Sequence, residues 1–160
     1  MSGGATEDVI HATCVAVGGK GVLLIGQPGS GKSDLALRLI DTPGAGTGAE
    51  VLNAQLVADD QVKLRRTGDH LDARAPEALA GLLEIRGLGI VRVEHRASIR
   101  VDLAVRLRPA GEIERMPELA DAQHRVLGVS IPLIEIDPAA ASAPARVRAA
   151  VLHLFSQQNG

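Results

Sequence analysis

Gly26-Gln27-Pro28-Gly29-Ser30-Gly31-Lys32-Ser33 is the stretch that decides the fold of this chain. It fits the pattern G-x-x-x-x-G-K-[ST], with an additional glycine at Gly29. Glycines let a backbone turn through positive φ and bring its N–H groups against phosphate oxygens. The lysine after the last glycine puts a point charge on the β- and γ-phosphates, and the hydroxyl that follows can ligate Mg2+. Both flanks agree with the motif. Gly21–Ile25 (GVLLI) is a short apolar run of buried-strand type, and Ser33–Ile40 (SDLALRLI) carries Leu35, Leu39 and Ile40 at helical spacing. The loop therefore joins a strand to a helix whose N-terminus attracts anions. A total of 18 glycines raises the odds of a chance match, but the chain has only three lysines and Lys32 falls at the required position. Gly26–Ser33 reads as a nucleotide-phosphate site.

Composition narrows the rest. A chain of 160 residues is expected to form one domain, 1–160, with a full core. No apolar run reaches the roughly 18 residues of a membrane span, and Met1–Asp8 lacks the basic-then-apolar order of a signal peptide. Cys14 is the one cysteine, which excludes an internal disulfide and leads to the expectation of a reducing cytoplasm. The net charge of −2 draws the chain toward no polyanion, and Phe155 is its only aromatic residue. Base-stacking platforms cannot be built from such a composition, so neither nucleic acid nor membrane is expected as a partner.

Taken in order, Val9–Val17 (VIHATCVAV) alternates as a strand and contains His11, a kind of residue that in a strand is usually satisfied locally or solvent-facing. Asp41–Asn53, rich in Gly, Ala and Thr, is expected to be a flexible surface loop. Gln55–Asp60 (QLVADD) is a short apolar strand ending in two acids, where P-loop proteins keep a metal-linked aspartate. One carboxylate could serve Mg2+ and the other a substrate hydroxyl, or the pair is an acidic turn into Gln61–Arg66. Spacing assigns neither Asp59 nor Asp60. Pro76–Leu82 predicts a short helix. In Leu83–Ile90 (LEIRGLGI), Glu84 and Arg86 share one strand face before Gly87 and Gly89 break it. That is the pattern of a backbone approaching a ligand, or of a salt-bridged sheet face.

Val91–Arg96 and Ser98–Leu107 are expected to be antiparallel strands, with Arg100, Arg106 and Arg108 solvated. Pro109–Asp121, which contains Arg115, reads as irregular, and Val126–Ile136 as a strand interrupted by Pro132. Pro144–Gln157 is a packing helix through Val147, Val151 and Leu154, with Arg146 and Arg148 off that face. The strand-rich middle argues against a purely parallel, doubly wound sheet.

Four segments in this order resemble the HPr kinase/phosphorylase family: Ile10-His11, Gly26–Ser33, Leu56–Asp60 and Leu83–Ile90, with Ala75-Pro76-Glu77 ahead of the last. The resemblance implies an α/β fold, a P-loop kinase of the phosphoenolpyruvate-carboxykinase-like type, with a mixed sheet and flanking helices. It implies ATP- and Mg2+-dependent phosphorylation of a serine on the phosphocarrier protein HPr of the sugar phosphotransferase system, or on a paralogous phosphocarrier. Phosphorolysis of the phosphoserine is the family's reverse reaction. Carried onto this chain, Gly26, Gln27, Pro28, Gly29, Ser30, Gly31, Lys32 and Ser33 would bind the ATP phosphates, with Lys32 stabilising the transferred charge. Ser33 and Glu84 would hold Mg2+. Asp60 would take the serine proton with Asp59 in support, and His11, Arg86 and Arg115 would complete the active site.

Three departures shape the expectation. The family's N-terminal domain has no counterpart here, which reads as a short form with the catalytic domain only. Asp41–Asn53 reads as an insertion. The family's late arginine-rich loop stands as Pro132-Leu133-Ile134-Glu135-Ile136-Asp137, without its arginines. The kinase direction is accordingly the expected one, and assembly into a homo-oligomer stays open. A P-loop kinase of a small metabolite would carry an arginine-rich lid that the sequence does not offer. A nucleotide-sensing module without turnover is the remaining alternative.

Overall fold

Alternation along the strands splits the core into two layers. In the computed structural model, which describes residues 6–155, Cys14 and Ala16 point to one side of their strand, and Val15 and Val17 to the other. That strand is β2 (Thr13–Val17), and it lies between β3 (Lys20–Ile25) and β4 (Ala54–Ala58), antiparallel to both. β3 pairs in parallel with the long β9 (Ile99–Leu107). The opposite edge of β9 is shared. Its first residues pair with β6 (His70–Arg74), and Ala104–Leu107 pair in parallel with β11 (Val129–Ile136). The sheet continues from β6 through β5 (Gln61–Thr67) to β1 (Glu7–His11), while β10 (Gln123–Val126) pairs with β11.

Val15, Val17, Val22, Leu24, Leu103 and Val105 form one face. They pack on Leu35, Ala36 and Leu39 of α1 (Lys32–Asp41) and on Val147 and Val151 of α2 (Ala143–Phe155). The other face, with Cys14, Leu23, Val57 and Ala104, is covered by Val62, Leu64, Leu71 and Ala73 from the β5–β6 half of the same sheet. The expected mixed sheet is present, but both α-helices flank one face only, because the curled half of the sheet occupies the other. Complete burial in β2 pushes the Cys14 thiol up to about 12, so it is a packing group. Among the described residues no helix is long and apolar enough to cross a membrane.

Several sequence expectations are corrected. Val9–Val17 is two strands, not one. β1 pairs with β5 and β2 with β3 and β4, so the chain changes partners at Ala12, whose N–H donates to the Asp60 carbonyl at 3.3 Å. Pro76–Leu82 shortens to one 3-10 turn, Glu77–Leu79. Gly81 ends it at φ +77, where a Cβ would lie 2.8 Å from Nδ1 of His95. Val91–Arg96 and Ser98–Leu107 do not pair with each other. Residues 89–92 form β8 (Gly89–Arg92), which makes a separate two-stranded ribbon with β7 (Leu82–Ile85). Pro132 does not interrupt β11. It sits where the strand passes from its β10 partner to its β9 partner, a point at which a missing N–H is tolerated.

The segment after α1 carries no helix or strand before Ala54, yet it is clamped rather than loose. Arg148, only 2% exposed, donates from Nε to the Leu52 carbonyl at 3.0 Å, and from Nη2 to the Leu39 and Thr42 carbonyls at 2.7 Å. The guanidinium thereby satisfies carbonyls left open at the end of α1. Burial holds its pKa below the usual arginine value. A residue read from sequence as lying off the packing face is the anchor of α2. Of the predicted helix Pro144–Gln157, the last two positions lie outside the described residues.

Candidate active site

The phosphate-loop sequence folds as its glycines demand. Gly29 has φ 80, and Gly31, at the N-cap of α1, has φ 103. A Cβ on Gly31 would stand 3.3 Å from Pro138, and one on Gly26 would stand 2.6 Å from Ser30 Oγ. The Ser30 N–H donates to the Gln27 carbonyl at 3.0 Å, closing the turn. Lys32 Nζ folds back over the loop and donates to the carbonyls of Gly26 (2.9 Å) and Gln27 (3.1 Å). Desolvation lowers the pKa of Lys32 below its ordinary value, while the charges of Asp60 and Asp59 pull the other way. Ser30 Oγ is buried and has no hydrogen-bond partner, an orphaned donor inside the loop.

The two adjacent aspartates have opposite surroundings. Asp59, 7% exposed, is held from three elements. Its Oδ1 accepts from Thr13 Oγ1 of β2 at 2.9 Å and from Ser33 Oγ of α1 at 2.7 Å, and its Oδ2 accepts from the Glu84 N–H of β7 at 3.1 Å. Asp60 is free, its side chain 71% exposed and its Oδ1 3.9 Å from Nδ1 of His11. The Gln61 N–H donates to the Asp59 carbonyl at 2.8 Å across Asp60, which has φ 68. That is a γ-turn in its rare positive-φ form. The acidic turn weighed above is present, and it places the Asp60 carboxylate at the cavity. The strand break at Ala12 is what carries His11 to this turn.

A cavity of about 500 Å3 opens between these groups, lined by Pro28, Gly29, Gly31, Lys32, Ser33, Asp60, Glu84 and Arg86, with Thr13 at its floor. Its donors fit a nucleotide phosphate chain: glycine backbone at positive φ, a lysine, and an orphaned hydroxyl in the loop. They also fit Mg2+, which takes one or two carboxylates together with phosphate oxygens and waters. Among the described residues no cluster of three or more His, Cys, Asp or Glu is placed to hold a metal ion. Ser33 and Glu84 were expected to hold it. The geometry adds Asp59, whose carboxylate already meets the Ser33 hydroxyl.

The model of the HPr Serine kinase C-terminal domain family matches residues 4–160. This chain belongs to that family. It is 37% identical to the HPr kinase/phosphorylase of Cupriavidus necator, over 85% of this chain and 42% of that protein. It is 36% identical to the HPr kinase/phosphorylase of Burkholderia lata, over 98% of this chain and 48% of that protein. The chain thus spans under half the length of these curated relatives. In fold it matches the structure of the Hpr(Ser) kinase/phosphatase from Coxiella burnetii with a TM-score of 0.76 at 24% identity, covering 96% of this chain and 99% of that one.

Within this HPr kinase domain, Lys32, Asp60, Glu84 and Arg86 line the one cavity, Asp59 is bonded to its Ser33, and His11 stands 3.9 Å from its Asp60. Arg115 is not among them. It lines a different cavity of about 770 Å3, with Arg106, Glu135 and Arg146, from the segment between the 3-10 turns Ala110–Glu112 and Leu119–Asp121. Pro132–Asp137 is not a loop at all: its first five residues complete β11, with Leu133 and Ile136 buried. Arg106 and Arg108, expected to be solvated, both reach Glu135, and the Arg108–Glu135 hydrogen bond at 3.0 Å holds the Arg108 pKa above its usual value. Thr13 was missed by sequence reasoning. Its signal was a single hydroxyl in the otherwise apolar run Thr13–Val17, two positions after His11.

Proposed function

We propose that this domain is the catalytic unit of a cytoplasmic protein-serine kinase. It moves the γ-phosphoryl group of ATP, with Mg2+, to a serine hydroxyl of HPr or a paralogous phosphocarrier protein. One observation carries the reading: a buried aspartate bound to the P-loop hydroxyl stands beside an exposed aspartate at the mouth of the lysine-lined cavity. Phosphoryl transfer needs in-line positioning and neutralised charge more than covalent chemistry. Asp59 fixes Ser33, and with Glu84 these residues would hold the metal, which would neutralise phosphate charge when bound. Lys32 leaves its two carbonyl partners for the β- and γ-phosphates, and Arg86 adds charge from the opposite wall. Asp60 accepts the serine proton as the serine oxygen bonds to the γ-phosphorus and the bond to the ADP oxygen breaks. His11 stands beside the Asp60 carboxylate, its Nδ1 3.9 Å from Oδ1.

The test is transfer of labelled γ-phosphate to purified HPr. Asp60→Asn should leave Mg–ATP affinity within about twofold and lower transfer by 100-fold or more, on the order of a lost general base. Folded wild-type protein that labels no serine, or an Asp60→Asn variant as active as wild type, would sink the reading.

A further inference from the structure

Arg148 carries a buried charge that meets no carboxylate. It is 2% exposed, and its hydrogen bonds go through Nε and Nη2 to three backbone carbonyls alone. Arg38, Arg106 and Arg108 each reach an acid, whereas among the described residues Arg148 reaches none. Its pKa agrees: burial lowers it and no neighbouring acid raises it, the reverse of Arg108. The carbonyls at the end of α1 supply partial negative charge, but a whole guanidinium taken from water is costly unless it is paired. Its Nη1 has no hydrogen-bond partner among the described residues. Nor is it sealed off, since Ser30 Oγ is the one buried orphan there. The neighbouring segment leaves room for it: a Cβ on Gly44 would stand 3.1 Å from Nη1.

Arg148 lines a cavity of about 680 Å3 between β2, β4, the end of α1 and the segment that follows it. Arg96 is the second cation in the wall, fixed beside β4 by its N–H, which donates to the Leu56 carbonyl at 2.8 Å. Glu94 is the only acid there, so two guanidinium groups stand against one carboxylate. Asn53 and Gln55 add hydrogen-bonding residues, and Leu39 and Val51 an apolar wall. We propose that this cavity is a second ligand site, for a small organic anion. Its carboxylate or phosphate group meets Arg148 Nη1 and Arg96, and a short aliphatic body lies on Leu39 and Val51. The bound oxyanion supplies the countercharge that the fold withholds from Arg148, and it joins the segment after α1 to the edge of the sheet. The ten residues of α1, about 15 Å of helix, separate this site from the phosphate loop at the other end.

Butyrate and butyl phosphate are the probes, with 1-butanol as the uncharged control. Each is titrated into the full chain with its phosphate loop saturated by Mg2+ and a non-hydrolysable ATP analogue. The readouts are the Arg148 side-chain N–H resonances and the calorimetric Kd. At least one anion should shift those resonances and bind with a Kd of about 1 mM or tighter. The tighter of the two tells a carboxylate ligand from a phosphate one. Amide exchange across residues 42–53 should slow when the anion is bound. Arg148→Met should weaken binding at least tenfold, as losing a charge-assisted hydrogen bond predicts. Arg96→Ser, at an exposed position, should weaken it about threefold. If Arg148→Met fails to fold, the wild-type resonances decide, a shift supporting the site and its absence overturning it. Butanol as effective as the anions, or a Kd unchanged in both arginine variants, also overturns it. So does binding that is lost in Lys32→Ala yet kept in Arg148→Met.

Discussion

Replacing Thr13 with valine removes one hydroxyl while keeping the side-chain volume. Thr13 is fully buried, and its Oγ1 donates to Asp59 at 2.9 Å. A hydrogen bond to an ionised group contributes about 1.5–3 kcal/mol, because a deprived buried carboxylate cannot turn to water instead. Asp59 keeps two donors, the Ser33 hydroxyl and the Glu84 N–H, so the loss is a third of its shell rather than all of it. We expect Thr13→Val to lower the unfolding free energy by about 2 kcal/mol, a shift of about 1 M in the urea midpoint at an m-value near 2. A second readout separates packing from positioning. The loosened carboxylate should weaken the hold on Ser33 and raise the KM for Mg–ATP about tenfold, leaving the KM for HPr alone. Thr13→Ser, which restores the donor, should recover most of that KM. A Thr13→Val protein with unchanged midpoint and unchanged Mg–ATP KM would refute the claim that this hydroxyl sets the aspartate.

Two further outcomes follow from described contacts. Arg148→Met strips the Leu39, Thr42 and Leu52 carbonyls of their donor. It should cost about 3 kcal/mol of stability, with faster amide exchange across residues 42–53 while the strands stay protected. Lys32 has its pKa lowered by burial, so its charge is lost at a pH below 10.5. Nucleotide affinity should be full at neutral pH and fall as pH rises through that lowered value, with no such limb in Lys32→Ala. The stability linkage has the opposite sign, since the unfolded lysine binds its proton more tightly. Lys32 therefore contributes a rise in stability over the same window, measurable by urea titration at alkaline pH against Lys32→Met.

The phosphate loop was legible in the sequence because its backbone requirements are written directly as residue types: glycine where φ is positive and lysine where phosphate charge gathers. The strand-rich middle argued against a purely parallel sheet, and the mixed sheet itself was what the family resemblance implied. What alternation does not carry is the partner. Val91–Arg96 and Ser98–Leu107 both alternate, yet one strand joins a separate ribbon and the other the centre of the main sheet, since pairing is decided by long-range packing. The same gap hid the different surroundings of Asp59 and Asp60. Adjacent residues differ in surroundings because one directly follows the end of β4 at Ala58 and a γ-turn is centred on the next, and only the assembled strands bring Thr13 and Ser33 to the first. Arg115 stands apart from the phosphate-loop cavity for a related reason, as its position in the chain does not tell which cavity the segment between the two 3-10 turns lines. Arg148 shows the limit of the helical wheel. A polar residue beside an apolar stripe can be buried when a neighbouring helix end supplies carbonyls.

The γ-turn at Asp60 sets selection for durability against selection for turnover. A non-glycine residue at φ 68 holds the backbone in a conformation that costs on the order of 1 kcal/mol, which glycine would escape. A library of this domain screened only for heat resistance should therefore drift to glycine or asparagine at this one exposed acid. The same library screened for phosphoryl transfer should keep the aspartate and lose that margin. In a comparison of the two pools, position 60 would be where the sequence records that the chain is under pressure to act and not merely to stay folded.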